Sequence, residues 1–423
     1  MTTTAGPAAR PRLLLLGGAG ATPVLRDLTR RAVAAARVRG MRVHLTDTAE
    51  GLRAVPDVHE LADTVSAVDF ERPGECVAFA RERGVAGERF DAVLGLREFA
   101  QVSAAEVSAA LGVPGNSPKA IRTIRAKDAC RAVLAAAGFS QPICRLCAGE
   151  AEARDFLASV PGPWIVKPRD AMGSVGVTRV DDATDLPMAL AALPRSRSAG
   201  PEPFVAEQFV TGAEYSVEGV FTSGEPMVLA ITGKETLQPG FVEIGHVQPA
   251  ALDAAMRAEV EESVRTALRV LGMSFGLFHV EFWLTGNSIV LGEFHGRSGG
   301  DWIHLLLAHT RDTDMYGMVL DDALGRQVTQ PPPPSRVAAV RFFTPAPGRL
   351  LAIEGYEAAV ADPAVVHAEL TVAAGEIIGP IGASHDRVGS FVVSAATAAE
   401  ARQSAATLAA SVRFVTKPTV EAP

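Results

Sequence analysis

A chain of 423 residues exceeds one ordinary hydrophobic core, and roughly 150 residues per domain points to about three domains. Hydrophobic residues make up 48% and charged residues 21%, a balance that excludes disordered and fibrous classes and fits a globular protein. The formal net charge of −8 gives neither a nucleic acid nor an anionic membrane overall electrostatic support, so small molecules are the expected partners.

Near the N-terminus, the apolar run Leu13 to Leu16 is too short for a signal-peptide core and meets Gly17 and Gly18 directly. No apolar stretch approaches the ~18 residues of a membrane span, so a cytoplasmic location is expected. RLLLLGG (12–18) reads as a buried strand entering a glycine turn, and LTRRAVAAARVRG (28–40) as a helix closed by Gly40. MRVHLTD, VAFARERG and FDAVLGL continue as strand, helix and strand. This βαβαβ alternation predicts an α/β fold with a doubly wound parallel sheet over about the first 115 residues. GGAG at 17–20 lacks the GxGxxG spacing and reads as a tight turn.

SPKAIRTIRAKDACRAVLAAAG (117–138) reads as one helical segment opened by Ser-Pro and closed by glycine. Cys144 and Cys147 follow with CxxC spacing, but with only Cys76 and Cys130 besides there is no second such pair, so ordinary buried thiols are expected. VKPRDAMGSVGV (166–177) places Lys167 at a strand end before a Gly173-Ser174-Val175-Gly176 turn. Small residues let backbone N–H groups approach a polyphosphate and the lysine adds positive charge, although for this stretch alone a hairpin turn beside a lysine is the commoner explanation. EQFVTGAEYSVEG (207–219) sets Glu207, Gln208, Phe209 and Val210 before a turn at Gly212, with Glu214 beyond. Such a linker can offer backbone groups to an adenine edge and a carboxylate to ribose hydroxyls.

FHVEFWL and SIVLGEFH form a hairpin joined around Gly286-Asn287. Alternation puts His279, Glu281, Trp283, Leu291, Glu293 and His295 on one face, and Phe278, Val280, Phe282, Leu284, Val290 and Phe294 on the other. A three-residue loop (Gly286, Asn287, Ser288) sets Glu281 opposite Glu293, whereas a two-residue loop throws them onto opposite faces. Facing carboxylates repel, and a divalent cation removes the conflict; oxygen ligands of this kind suit Mg2+. A solvated acidic face is the competing reading, weakened because Trp283 and Leu291 share that face. LGEFHGRSGGD (291–301) then adds Arg297, the Gly299-Gly300 pair and Asp301. PPPP at 331–334 is stiff and marks the clearest domain boundary, followed by short strands and a helix from about 398 to 413.

The order of these motifs, a βαβ domain, Lys127, Lys167 with its glycine turn, E-x-x-V-x-G-x-E, then two acids ending in E-x-x-x-R, resembles the ATP-grasp superfamily over roughly residues 10 to 415. Within it the chain resembles the carboxylate–amine ligases that join amino acids, the L-amino-acid or dipeptide ligases. KETLQPGFVEIGHVQPA (234–250), with Glu243 and His246, is similar to their substrate loop, and RFFTPAPGRL with the later HDRVG to their C-terminal domain.

The resemblance implies four parts: a Rossmann-like domain at 1–116, a small lid at 117–205, a large subdomain at 206–330 and a C-terminal α+β domain at 331–423. It implies ATP phosphates on Lys127 and Lys167, adenine at Glu207 to Val210, ribose at Glu214, and two Mg2+ ions, replaceable by Mn2+, on Glu281 and Glu293. Many members carry Asn where this chain has His295, so His295 is either a nitrogen ligand or a group that orients phosphate or substrate. The implied reaction is attack of an amino-acid carboxylate on the γ-phosphate, then of an amine on the acylphosphate. Arg297 is expected to stabilise the oxyanion, with a salt bridge to Glu293 or Asp301 as its alternative. Glu243 is a candidate for a substrate ammonium, His246 a candidate base or orienting group, and Gly299, Gly300, Asp301 and Trp302 candidates for the substrate pocket. A homodimer is common in such ligases. Two other readings stay open, an ATP-grasp enzyme activating a different carboxylate, as in biotin carboxylase-like or purine-pathway-like proteins, and a non-catalytic nucleotide-binding protein.

Overall fold

The structure is a computed structural model that describes residues 10–194, 202–286 and 288–418. Strands β1 (Arg12–Leu16), β2 (Arg42–Asp47), β3 (Thr64–Ala67) and β4 (Ala92–Gly95) form a parallel sheet in the order β3-β2-β1-β4. The unbroken leucines of β1 are explained by cover on both faces. Leu13 and Leu15 pack with Leu28, Ala32 and Ala36 of the helix Pro23–Val38, while Leu14 and Leu16 pack with Cys76, Ala80, Ala104 and Val107 of two helices opposite. All four are fully buried, each worth about 1.5–3 kcal/mol relative to exposure. The sheet is therefore doubly wound as expected; the added edge strand β3 is four residues long and half-buried, too short and weakly patterned to read from sequence.

The segment 117–138 is two helices rather than one, Pro118–Arg125 and Lys127–Ala136. Ser117 caps the first through Ala120 N, and extended backbone at Ala126 (ψ 99°) breaks the run. Lys127 thus opens a new helix. A small antiparallel sheet follows, built from β5 (Cys144–Cys147), β6 (Trp164–Pro168), β7 (Thr178–Val180) and β8 (Phe204–Gln208) in the order β5-β8-β6-β7. Cys147 is buried beneath it and Cys144 half-buried; both are free thiols, as are Cys76 and Cys130.

The next strands are β9 (Ala213–Thr222), β10 (Glu225–Thr236), β11 (Glu243–Gln248), β12 (Leu277–Thr285) and β13 (Ser288–His295). Past the prolines come β14 (Val337–Phe342), β15 (Gly348–Glu354), β16 (Val365–Leu370), β17 (Ile377–Ile378), β18 (Gly389–Ala395), the helix Ala398–Ser411 and β19 (Arg413–Lys417). Eight of these form one antiparallel sheet, β13-β12-β9-β10-β11-β14-β18-β16. The large sheet therefore runs straight across the boundary expected at 331–334, because β14 pairs directly with β11. The sheet's apolar face, including Val217, Phe221, Ile231, Phe278, Val280 and Phe282, packs on the helix Ala254–Val270 through Val260, Val264 and Leu268.

The hairpin β12–β13 departs from the expected three-residue loop. Thr285 pairs with Ser288, leaving Gly286 and Asn287 between them; Asn287 lies outside the described residues. A β-bulge then slips the register between Val280 and Phe282, so that Val280 meets Phe294 and His279 meets His295. The extra residue on β13 restores Glu281 and Glu293 to one face despite the short turn. It also corrects the position of Leu291, which pairs with Phe282 and is fully buried in the apolar core rather than beside the acids.

Candidate active site

The opposite face of the large sheet is polar across five strands. Glu214, Ser216 and Glu218 on β9, Thr232 and Lys234 on β10, Glu243 and His246 on β11, His279, Glu281 and Trp283 on β12, and Glu293 and His295 on β13 sit over a dry core. Many of them open onto a cleft between this face, the glycine turn and Ser384.

Lys234 is the hub. Its Nζ lies 2.5 Å from both Glu281 Oε1 and Glu243 Oε1 and 3.4 Å from Glu214 Oε1, with its side chain 1% exposed. Burial alone would discharge it, but the carboxylates of Glu243, Glu281 and Glu214 hold it protonated, well above the ordinary lysine range. Three acids for one cation leave negative charge uncompensated. Burial pushes the Glu214 carboxyl up to about 7, with Glu281 and Glu243 adding repulsion against the pull of Lys234. Glu214, Glu243 and Glu281 each offer an oxygen within 4.8 Å of the others. Glu281 belongs to this acid-rich set and Glu293 lines the same cleft, so carboxylate oxygens of the kind that suit a hard divalent cation such as Mg2+ are present there.

Lys127 and Lys167 come from outside the large sheet and meet at Glu293. Lys127 Nζ donates to Ala171 O at 2.7 Å and lies 3.4 Å from Glu293, while Lys167 Nζ lies 3.6 Å from Glu293 and 2.8 Å from Glu207. Glu207, buried, is also gripped by Arg131 at 2.5 Å and 3.1 Å. Its carboxylate is thereby held down to about 2, the two cations outweighing burial. Gln208 and Phe209 spend their amides on Ile143 O and Pro163 O, and neither they nor Val210 line the cleft. The glycine turn does line it: Gly173 (φ 66°), Ser174 (φ 61°) and Gly176 (φ 68°) all adopt left-handed backbone, which favours glycine, and Ser174 Oγ donates to Phe241 O at 2.9 Å.

Arg297 is held by neither Glu293 nor Asp301. Its Nε donates to Glu98 Oε2 at 2.6 Å and its Nη1 to Ser298 O at 2.7 Å, while it still faces the cleft. The same Glu98 oxygen accepts from His295 Nδ1 at 2.9 Å, and Arg125 reaches its other oxygen at 3.0 Å. The contacts with His295, Arg297 and Arg125 hold the buried Glu98 carboxylate well below its usual range in spite of burial. His279 Nδ1 bonds Glu218 at 3.0 Å; burial opposes its charge, but Glu218 and Glu281 raise the imidazolium to about 9.

Asp301 is engaged by Arg387 through both oxygens at 2.6 and 2.7 Å and approached by His246 Nε2 at 3.3 Å. His246 is 2% exposed and outside the lining. Gly300 lines the cleft; Gly299 packs against His279 and Ile303. Trp302 is a core residue, 2% exposed, with Nε1 on Glu369 Oε1 at 2.9 Å, and is absent from the lining. Sequence reading passed over Lys234, although it opens the KETLQPGF stretch. It also passed over Glu98, Glu218, Arg131 and Arg387, whose partners lie far along the chain.

An ATP-grasp domain model matches residues 160–305, and a model of the L-amino acid ligase C-terminal domain 2 matches residues 341–417. The chain thus carries an ATP-grasp domain followed by a C-terminal domain of the L-amino acid ligase type. An uncharacterised protein of Sinorhizobium fredii is 32% identical over 288 residues, covering 67% of this chain and 59% of that one. Human carnosine synthase 1 is 27% identical over 217 residues (46% of this chain, 26% of that one), and alanine–anticapsin ligase of Bacillus subtilis 27% over 197 residues (42% of each). The chain thus matches between about a quarter and three-fifths of the length of these relatives. In fold it is similar to L-amino acid ligase from Bacillus licheniformis, with a TM-score of 0.79 at 21% identity over 96% of this chain and 99% of that one.

Proposed function

We propose that the chain is an ATP-dependent ligase that joins an amino-acid carboxylate to an amine through an acylphosphate, releasing ADP and phosphate. The observation that carries this reading is the meeting of Lys127 and Lys167 on Glu293, at one end of a cleft whose other end holds three acids around Lys234. In the ligand-free protein the two lysines neutralise Glu293. An entering polyphosphate takes both lysines and frees Glu293, so phosphate binding and completion of the cation site are one exchange. Mg2+, held by Glu281 and Glu293, would neutralise charge developing on the phosphate oxygens.

The glycine turn lays N–H groups against the phosphates, with Glu214 on the ribose. Glu207 itself acts by holding Lys167. Arg297, fixed by Glu98, presents its remaining N–H groups to the oxyanion formed when the amine attacks. Glu243 takes a substrate ammonium, its negative charge shared with Lys234. His246, buried beneath Asp301, orients that carboxylate and through it Arg387.

The similarity to relatives whose names specify carnosine and alanine–anticapsin supports amino acids as substrates. The test is a phosphate-release screen over pairs of amino acids with ATP and Mg2+, using Glu293→Ala and Arg297→Ala as controls. Release that requires both partners and falls at least a hundredfold in each variant is expected from the loss of a transition-state contact, about 2.7–4 kcal/mol. Full activity in both variants would refute the site.

A further inference from the structure

We propose that His279 and His295, together with Glu281, form a nitrogen-containing site for a first-row divalent cation of the Mn2+ or Co2+ class, so that this metal centre is not built from oxygen donors alone. One ligand atom from each of the three lies within 4.8 Å of the others. The two imidazole rings stand 5.5 Å apart, centroid to centroid, inclined at 35°. Bonds from such an ion to nitrogen and oxygen are about 2.0–2.2 Å, so binding draws the three donors together around it.

The second observation concerns the far side of each ring. His279 Nδ1 donates to Glu218 Oε2 at 3.0 Å and His295 Nδ1 to Glu98 Oε2 at 2.9 Å. Both carboxylates are buried, at 3% and 5% exposure. A carboxylate on Nδ1–H fixes the ring and leaves Nε2 facing inward, where a metal ion would displace the Nε2 proton of His279; histidines that bind metals are held in this way. Here both Nε2 atoms look toward the acids, His279 at 3.5 Å from Glu281 Oε1 and His295 at 3.9 Å from Glu293 Oε2.

The anchors are themselves anchored. Ser216 Oγ donates to Glu218 at 2.7 Å, and Arg125 and Arg297 hold Glu98. Both rings are held from behind by separate carboxylates, with Nε2 toward Glu281 in one and toward Glu293 in the other. Imidazole nitrogen favours first-row ions in the order Mn2+ < Fe2+ < Co2+, whereas Mg2+ keeps to oxygen, so the pair shifts the preference of the site.

This inference rests on the proposed function only in reading Glu281 as a metal carboxylate. The test uses the full chain with Mn2+ alone, without nucleotide, and reads nitrogen hyperfine coupling to the bound ion by pulsed electron paramagnetic resonance. Wild type is expected to show histidine coupling that changes when the protein is grown with heavy-nitrogen histidine. The coupling should diminish in His295→Asn and vanish in His279→Gln/His295→Asn. Glu218→Gln should weaken Mn2+ binding about 10–100-fold. Circular dichroism identifies any variant that fails to fold, and the labelled wild type then decides alone. No Mn2+ binding, no nitrogen coupling in wild type, or coupling indifferent to the histidine label would each overturn the proposal. Histidine coupling without ATP-dependent ligation would sink the proposed function and leave this site; ligation with Mn2+ bound through oxygen only would do the reverse.

Discussion

Lys234 is the shared cation of three carboxylates on the polar face. Replacing it by Met leaves Glu214, Glu243 and Glu281 facing one another without their shared cation. Removal of one partner of a buried ion pair costs roughly 3–5 kcal/mol, and urea denaturation without divalent ions should register a loss of that size. Added Mg2+ or Mn2+ should restore part of it, since a bound cation takes over the same carboxylates. An unchanged metal-free stability would contradict the arrangement. Glu207 gives a second test. Its carboxyl, near 2 instead of 4.5, contributes roughly 3 kcal/mol that is fully present above 4.5 and lost as the pH falls through about 2. Glu207→Gln removes that contribution and strands Arg131 and Lys167, so its deficit against wild type, followed by urea midpoints, should shrink as the pH is lowered across this window. A deficit independent of pH would assign the loss to packing alone.

At the scale of the element, the hairpin β12–β13 sets where Glu293 stands relative to Glu281. Gly292 sits in the bulge, where a Cβ would come 2.8 Å from the Trp283 ring and 3.0 Å from Glu281 O. Gly292→Ala should therefore cost about 1–3 kcal/mol by overpacking and disturb the pairing of the two acids, lowering turnover more than stability predicts. Thermal melts and steady-state rates of the same preparation check it, and a variant with wild-type turnover would show that the bulge does not position Glu293. The alternation of acids and aromatics was legible in sequence, as was the hairpin. Its register was not, because a two-residue turn with a bulge and a three-residue turn without one place the same acids on the same face. The break at Ala126 was hidden for a similar reason: nothing in IRAKDA forbids a continuous helix, and contacts of Lys127 with Arg169 O and Ala171 O accompany the break.

Across the whole molecule, the cleft draws on every part of the chain. Glu98, beside the first sheet, holds Arg297 from 199 positions away, and Arg387, beyond the prolines, clamps Asp301 and bonds Glu243 O at 2.7 Å. Sequence motifs within one segment were readable because their spacing carries the chemistry. Glu98, Glu218 and Arg387 were not, since no local pattern marks a residue whose partner arrives from another sheet. Glu98→Gln keeps the shape but loses the charge that fixes Arg297; kcat should fall about tenfold or more with little change in KM for ATP, and Glu98→Asp should recover part of the loss. A raised KM with kcat unchanged would instead indicate a role in binding.

In the proposed reaction the carboxylate is activated by phosphorylation before the amine attacks. Once a productive pair is found, the amino acid is supplied with heavy oxygen in its carboxylate and the released phosphate is analysed by mass spectrometry. One labelled oxygen in the phosphate is predicted, because the carboxylate oxygen that attacks the γ-phosphorus departs with it. Phosphate free of label would contradict the account.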